Sequence, residues 1–237
     1  MDNNTQTMSP RLLSRVGGIL YLVMIAIGIF NEAFVKGRIV VPGDPAATAA
    51  NLVSNESLWR IGIAGEMIMV FSTVALTFIL YLLLRPVNRD LAVLAAIFGT
   101  VAITVEAAYS VRLIEALFPL GSAEYLQAFT AEQRGILANL AVRSHSTGFG
   151  IVLLLFGPFF LTTGYLISKS GYIPKAIGVL YQIAGLAYIA NGFVHILAPT
   201  IAGKAFAVIA LPAFAGEASF CVWLLVKGVR TQTLQAP

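Results

Sequence analysis

Three carboxylic acids interrupt long apolar stretches of this sequence, and they are the residues best able to carry chemistry. Glu66, Glu106 and Glu217 are the single charged residues of the apolar runs 61–84, 91–111 and 205–226. A charge at the centre of a membrane costs about 2.5–3.5 kcal/mol on insertion scales, so such a residue usually faces a partner or a cavity. Each carboxyl is therefore a candidate proton donor, ligand contact or hydrogen-bonding link between helices.

Polar side chains at helical spacing accompany these acids. Tyr188, Asn191 and His195 are three and four residues apart, so they share one broad face of a helix. Tyr109 follows Glu106 by three residues and shares its face in the same way. We expect both faces to be turned towards the interior of a bundle.

The stretch AVRSHSTGFG, residues 141–150, places an arginine and a histidine directly before an apolar run. Arg143 and His145 are two residues apart, or about 200° of helical rotation, so they cannot both face one pocket. We expect Gly148 to mark the outer boundary of the hydrocarbon layer, with His145 looking into a pocket from its rim. Arg143 then reaches water or pairs with an outer carboxylate such as Glu115.

Familiar catalytic and metal motifs are absent from the sequence. His145 and His195 belong to neither an HExxH nor a Glu-x-x-His motif, so we predict no metal site. Ser144 and Ser146 flank His145 directly and cannot face it along a helix. Cys221 is the only cysteine, which excludes an intramolecular disulfide and a thiolate metal cluster. No cofactor can be named from these residues.

The composition is that of a protein that crosses a membrane several times. Of 237 residues, 58% are hydrophobic and only 11% are charged, against about 25% charged in a soluble domain. The formal net charge is +4, but the basic residues cluster at the ends of apolar runs, where topology requires them. The expected partner is therefore the lipid bilayer, with no nucleic acid; the oligomeric state stays open.

Six apolar segments are each long enough to cross a hydrocarbon core of about 30 Å. They predict an all-α polytopic bundle in a single domain, residues 1–237, with spans at about 12–34, 58–84, 91–118, 136–167, 176–197 and 205–226. Between the first two spans, PGDPAATAANL predicts a short interfacial helix with Asp44 as its N-cap and Pro45 at its first position. A second short helix is expected at about 122–129.

The basic residues predict the orientation of the spans. With the N-terminus inside, the inner ends of the spans carry Arg11, Arg15, Arg85, Arg89, Lys169, Lys175, Lys227 and Arg230. The positive-inside rule then places both termini in the cytoplasm, in agreement with an even number of spans.

Depth along the spans predicts where the polar residues lie. Counted from the inner ends at about 1.5 Å per residue, Glu217 is near 15 Å, whereas Glu32, Glu66, Glu106, Asn191 and His195 fall between about 24 and 30 Å. The inner half is almost purely apolar. We therefore expect an outward-facing polar pocket lined by Glu66, Glu106, Tyr109, His145, Tyr188, Asn191 and His195, with Glu217 at its floor.

Two further patterns concern the fifth span. RVGGILY, beginning at Arg15, and KAIGVLY, beginning at Lys175, are each followed in the same register by an asparagine, Asn31 and Asn191. This suggests a duplicated hairpin with parallel copies. In addition, Gly178, Gly185 and Gly192 form a seven-residue series that would allow close approach of a neighbouring helix.

Several stretches together resemble a family of bacterial polytopic membrane proteins known as domain of unknown function 4386. The similar stretches are VPGDPAATAANL (41–52), LLRPVNRDLAVLA (83–95), SHSTGFGIVLLLFG (144–157) and GYLISKSGYIPKAIGVL (164–180). The resemblance implies a compact helical bundle in a bacterial inner membrane, and it supplies neither a substrate nor a cofactor.

Three functions are compatible with these residues. The first is binding or transport of a small or amphiphilic ligand in the outward-facing pocket. The second is intramembrane acid–base catalysis on a lipid-like substrate such as an isoprenoid, with Glu217 as the buried acid and Glu66 or Glu106 as its partner. The third is a non-catalytic subunit whose polar layer only links helices.

Overall fold

Seven α-helices of ten residues or more run through residues 9–229. The computed structural model describes these residues apart from the side chains at 204, 205 and 207, which are left out wherever residues 9–229 are named below. The helices are α1 (Pro10–Ile29), α2 (Pro45–Ser54), α3 (Glu56–Leu84), α4 (Arg89–Glu115), α5 (Ala131–Lys169), α6 (Lys175–Leu197) and α7 (Ala202–Val226). α1 continues as a π-helical segment, Phe30–Lys36, and ends in a single α-turn, Gly37–Ile39. Two short 3₁₀ turns, Phe118–Leu120 and Glu124–Ala128, connect α4 to α5.

Six of these helices are long and apolar enough to cross a membrane, which confirms the predicted all-α bundle and its number of spans. The interfacial helix is α2. It begins at Pro45, and the Asp44 carboxylate accepts a hydrogen bond of 2.9 Å from the backbone N–H of Ala47, as expected of an N-cap. The second short helix takes the form of the 3₁₀ turn Glu124–Ala128.

Two helices differ from their predicted course. α5 begins at Ala131 rather than near residue 136, because Thr130 and Gln133 form a reciprocal capping box at 3.2 and 2.8 Å. It then continues without interruption past Pro158 to Lys169. The AVRSHSTGFG stretch is therefore internal to a 39-residue helix. The first span was expected to be regular, but its last third is the π-helical segment.

The six spans form a closed ring in chain order. Each spanning helix packs against the spans before and after it, and α7 packs back against α1. α2 packs against α5, and its buried Leu52 belongs to an apolar cluster that also contains Val35, Trp59 and Leu113 of three spans. The backbone N–H of Val229 donates to the Ser14 hydroxyl at 3.0 Å, so both ends of the described chain lie at one face. We call this the terminal face, and the half of the bundle away from it the distal half.

α5 and α6 make the most intimate contact in the ring, through glycines on both helices. A Cβ added to any of these glycines would approach the opposing helix to 3.0 Å or less. The opposed pairs are Gly150 with Gly192, Gly157 with Gly185, and Gly164 with Gly178. The predicted close approach at the α6 series is confirmed, and it is matched by an α5 series with the same seven-residue spacing.

The terminal half of the ring is filled by apolar and aromatic side chains. Within it the hydroxyls of Tyr21 and Tyr181 form a buried hydrogen bond of 2.6 Å across the bundle. Near the terminal face, the Tyr172 hydroxyl donates to the carbonyl oxygen of Leu83 at 2.6 Å, at the end of α3. Burial raises the pKa of Tyr172 to about 12, so this hydroxyl keeps its proton near neutral pH.

Candidate functional site

The distal half contains a buried polar cluster that begins where α1 meets α3. The Asn31 side-chain amide donates to the carbonyl oxygen of Gly62 at 3.2 Å and to the Glu66 carboxylate at 3.1 Å. Glu66 is only 6% exposed. Glycine at position 62 is required here, because a Cβ would lie 2.9 Å from Val35. The side-chain oxygen of Asn31 is left buried without a partner among the described residues.

The π-helical segment brings Lys36 towards this cluster. In an α-helix, residues five apart differ by about 140° in direction, whereas the i to i+5 hydrogen bonds of a π-helix bring them nearly into line. Lys36 therefore follows Asn31 towards the interior. Its ammonium bonds to Glu32, lies 5.7 Å from the centroid of the Phe149 ring and is within electrostatic range of Glu66.

α4 contributes Glu106 and Tyr109. The Glu106 side chain is 7% exposed and lies within electrostatic range of Glu66 and Lys36. Hydrogen bonds within residues 9–229 leave its carboxyl unpaired. The Tyr109 ring packs flat against α5 at Gly148, where a Cβ would lie 2.0 Å from a ring carbon. Tyr109 thus fixes the spacing of α4 and α5 beside Glu106.

α5 contributes His145, which is 3% exposed, while Arg143 is exposed on another side of the helix. The buried Nδ1 of His145 has no partner in the described part of the chain. Its imidazole lies within electrostatic range of Lys36. The Glu115 carboxylate forms its ion pair with Arg112, at 2.6 Å, rather than with Arg143.

On α6, Asn191 and His195 have different surroundings. Asn191 is completely buried, and within residues 9–229 neither its side-chain oxygen nor its nitrogen has a partner. The His195 ring packs on α5 at Gly150, where a Cβ would lie 2.4 Å from a ring carbon. Its Nδ1 is 3.0 Å from the Asn191 carbonyl oxygen. Asn191 is thus the α6 residue with unused hydrogen-bonding capacity.

Glu217 lies closer to the terminal face, in aromatic surroundings. Its carboxylate accepts a hydrogen bond from the Tyr188 hydroxyl. The Tyr188 ring packs edge-on against Phe160, and Phe160 stacks on Tyr181 with ring centroids 4.4 Å apart. Tyr188 is also within electrostatic range of Glu106, so it connects this aromatic cluster with the distal polar groups.

A comparison with protein families matches almost the whole of this bundle. The family model described as Domain of unknown function (DUF4386) matches residues 16–228. The chain belongs to the DUF4386 family. A similar protein from the archaeon Archaeoglobus fulgidus, described as uncharacterized, is 30% identical over 169 residues, which cover 70% of this chain and 83% of that protein. No solved structure matches the chain.

Contacts between neighbouring helices place four polar residues of this DUF4386 chain at one depth. Between α1 and α3, Asn31 bonds to Glu66. Between α4 and α5, Tyr109 packs on Gly148, and Glu106 is one turn before Tyr109. Between α5 and α6, Gly150 opposes Gly192, which is next to Asn191. We call Asn31, Glu66, Glu106 and Asn191, with Lys36 and His145 about one turn further out, the distal polar layer. A cavity lined by Asn31, Lys36, Trp59 and Glu66 has room for about one water molecule.

Two members of the distal polar layer were not among the predicted site residues. Asn31 was noticed only as the repeat counterpart of Asn191, and this correspondence was the signal that could have identified it. Lys36 lies two residues beyond the predicted end of the first span, so its position in the sequence indicated only a basic residue at the outer side of the membrane. The described residues contain no group of three potential metal ligands.

Proposed function

We propose that this protein binds a small or amphiphilic ligand in the distal polar layer, as a binding or transport-like membrane protein. The observation that carries the proposal is the fully buried Asn191 amide, in which neither hydrogen-bonding atom has a partner within residues 9–229. Buried polar groups are nearly always hydrogen-bonded in native proteins, so an unsatisfied amide in a packed bundle points to a missing partner.

The energy at stake supports a bound partner rather than an empty layer. Each buried donor or acceptor left unsatisfied costs about 1–3 kcal/mol. Asn191 contributes two such atoms, and Asn31 and His145 contribute one each. Replacing an unsatisfied amide by leucine, a side chain of similar size, would then stabilise an empty protein. A polar ligand that satisfies these atoms reverses that preference.

Native mass spectrometry of the detergent-purified protein tests the proposal with Asn191→Leu. The matched control is Asn139→Leu, the same substitution at a half-buried position of α5 about 9 Å beyond His145 along the helix. We expect the wild type and Asn139→Leu to carry the same bound mass, and Asn191→Leu to lose it. Thermal unfolding of the three proteins completes the comparison.

Two results would overturn the proposal. One is a wild type without bound mass, together with a higher unfolding temperature for Asn191→Leu, which is the behaviour of an empty layer. The other is a bound mass that persists in Asn191→Leu and in Asn191→Leu/Glu106→Leu, which would place the bound molecule on the lipid-facing surface.

We further propose that the protein lies in a bacterial cytoplasmic membrane with its terminal face towards the cytoplasm, since that face carries most of the basic span ends. Cys221 is buried, and a Cys221→Ser background gives clean single-cysteine variants. In intact cells, a membrane-impermeant maleimide should label Gln127→Cys, near the distal ends of the spans. Asp90→Cys, at the terminal face, should be labelled only after lysis. The reverse pattern would invert the topology.

A further inference from the structure

We infer that the ligand of the distal polar layer carries a primary ammonium head group, an inference that rests on the proposed ligand-binding function. The unsatisfied atoms of the layer, together with the balance of charges around Lys36, select this chemistry. Both observations concern the head group of the ligand only.

The unsatisfied atoms are mostly hydrogen-bond acceptors. The Asn31 amide nitrogen is already used by Gly62 and Glu66, so its orphaned oxygen can only accept. The orphaned oxygen of Asn191 accepts as well, and the His145 Nδ1 accepts when the imidazole proton is on Nε2. The single orphaned donor is the Asn191 nitrogen. A ligand that completes this set must chiefly donate, and an ammonium group offers three donors.

The charged groups around Lys36 also favour an ammonium head group. Lys36 bonds to Glu32 and is within electrostatic range of Glu66 and Glu106, so among the described side chains one ammonium group is near three carboxyl groups. An anionic head group would add to this surplus of carboxyls. A cationic head group would offset it and would place an ammonium beside Glu106, whose carboxyl no described residue bonds. Asn31 is 4% exposed, bonds to Glu66 and keeps an unpartnered side-chain oxygen, so the acidic groups belong to a built site.

Lys36 shows that the layer already holds one ammonium of the chain itself. Its amine is bonded to Glu32 on the exposed side, over the Phe149 ring. A ligand ammonium and the Lys36 ammonium therefore compete for the same carboxyl groups, because like charges repel at close range. Removal of the Lys36 ammonium should thus strengthen ligand binding, and replacement of the Glu106 carboxyl should weaken it.

The test uses probes that share one alkyl tail: dodecylammonium, dodecyltrimethylammonium, dodecanol and dodecanoate, each titrated into protein in dodecyl maltoside. In a Trp223→Phe background the fluorescence reporter is Trp59, which lines the cavity in the layer. We expect dodecylammonium to bind at least tenfold more tightly than each of the other three probes. The trimethyl probe has the charge without N–H donors, so it separates hydrogen bonding from charge.

Two variants and a control give effects of opposite sign. For dodecylammonium, Glu106→Gln should raise the dissociation constant about tenfold, and Lys36→Met should lower it about tenfold. Glu56→Gln, which removes an exposed carboxylate paired with Arg60, should leave it unchanged. Dodecanol should bind all variants within threefold of the wild type, which shows that their fold is intact.

Tighter binding of dodecanoate, equal binding of the trimethyl probe, or weaker ammonium binding in Lys36→Met would each overturn the ammonium assignment while ligand binding itself stands. Absence of binding by all four probes would overturn it too. The bound mass of the wild type and of Asn191→Leu then decides the proposed function separately.

Discussion

One added methyl group at Gly164 tests the contact on which the ring depends most. A Cβ at this position would lie 2.6 Å from the carbonyl oxygen of Gly178 and 2.8 Å from the backbone nitrogen of Gln182. Both atoms belong to the backbone of α6 and cannot rotate away as the tip of a side chain can. Gly164→Ala therefore forces α5 and α6 apart.

The size of the effect follows from these distances. Ordinary contact begins at about 3.4 Å, so the oxygen of Gly178 has to retreat by about 0.8 Å. Extra methyl groups in a well-packed core cost about 1–3 kcal/mol. In a membrane the helices persist in the unfolded state, so the added helix propensity of alanine offsets little of this loss. We expect Gly164→Ala to lower the free energy of unfolding by about 1–3 kcal/mol.

Reversible unfolding in mixed micelles of dodecyl maltoside and SDS, followed by tryptophan fluorescence, measures this loss. The matched control is Gly28→Ala near the end of α1, where the nearest atom to the new Cβ is the flexible methyl end of Met69 at 3.9 Å. Its stability should stay within about 0.5 kcal/mol of the wild type.

The double variant Gly164→Ala/Gly178→Ala sharpens the test. Once the first methyl group has separated the helices, the second meets a gap that is already wider. The double variant should therefore lose less stability than the two single variants lose together. If Gly164→Ala were as stable as Gly28→Ala, or if the two losses added in full, the paired register of the two glycine series would be refuted.

Three further predictions concern buried hydroxyl groups. Tyr21→Phe and Tyr181→Phe should each lower stability by about 1–3 kcal/mol, because each leaves the other hydroxyl unpaired. In the same unfolding assay the double variant should lose less stability than the two single variants together. Full additivity would contradict the hydrogen bond between the two hydroxyls. Glu217→Leu should lower the melting temperature by leaving the Tyr188 hydroxyl without an acceptor, and Glu217→Gln should recover much of it; equal losses would argue against the hydrogen bond as the cause. Tyr172→Phe should cost about 0.5–1.5 kcal/mol through loss of its bond to α3, and unchanged melting would refute that role.

Local chemistry made much of the fold predictable. The long apolar runs specify the six spans, and Asp44 followed by Pro45 specifies the start of α2 through ordinary N-cap chemistry. The seven-residue series beginning at Gly178 indicated a close helix contact. The early start of α5 could also have been predicted from the sequence, since Thr130 and Gln133 have the spacing of a capping box.

The position of Lys36 could not be predicted in this way. Helical phase assumes 3.6 residues per turn, and the assumption fails from Phe30 onwards because the backbone changes to i to i+5 hydrogen bonds. The change is a tertiary effect: the buried Asn31 amide bonds to α3, and Val35 packs closely over Gly62. Neither contact is visible until α1 and α3 have been placed side by side.

The two repeat-like segments explain why more hydrogen-bonding capacity is unused at Asn191 than at Asn31 in the distal polar layer. Tyr21 and Tyr181 occupy the same place in RVGGILY and KAIGVLY, and they bond to each other across the ring. Ten residues further on, Asn31 is paired with Glu66.

Its counterpart Asn191 has no such carboxylate, because Glu217 lies nearer the terminal face and is occupied by Tyr188. In the second copy the carboxylate that accepts from the asparagine nitrogen is missing, so both side-chain atoms of Asn191 are without a partner among the described side chains, whereas only the oxygen of Asn31 is unpaired. For the proposed ligand, this asymmetry between two otherwise similar helices favours a position beside α6, where more hydrogen-bonding capacity is unused.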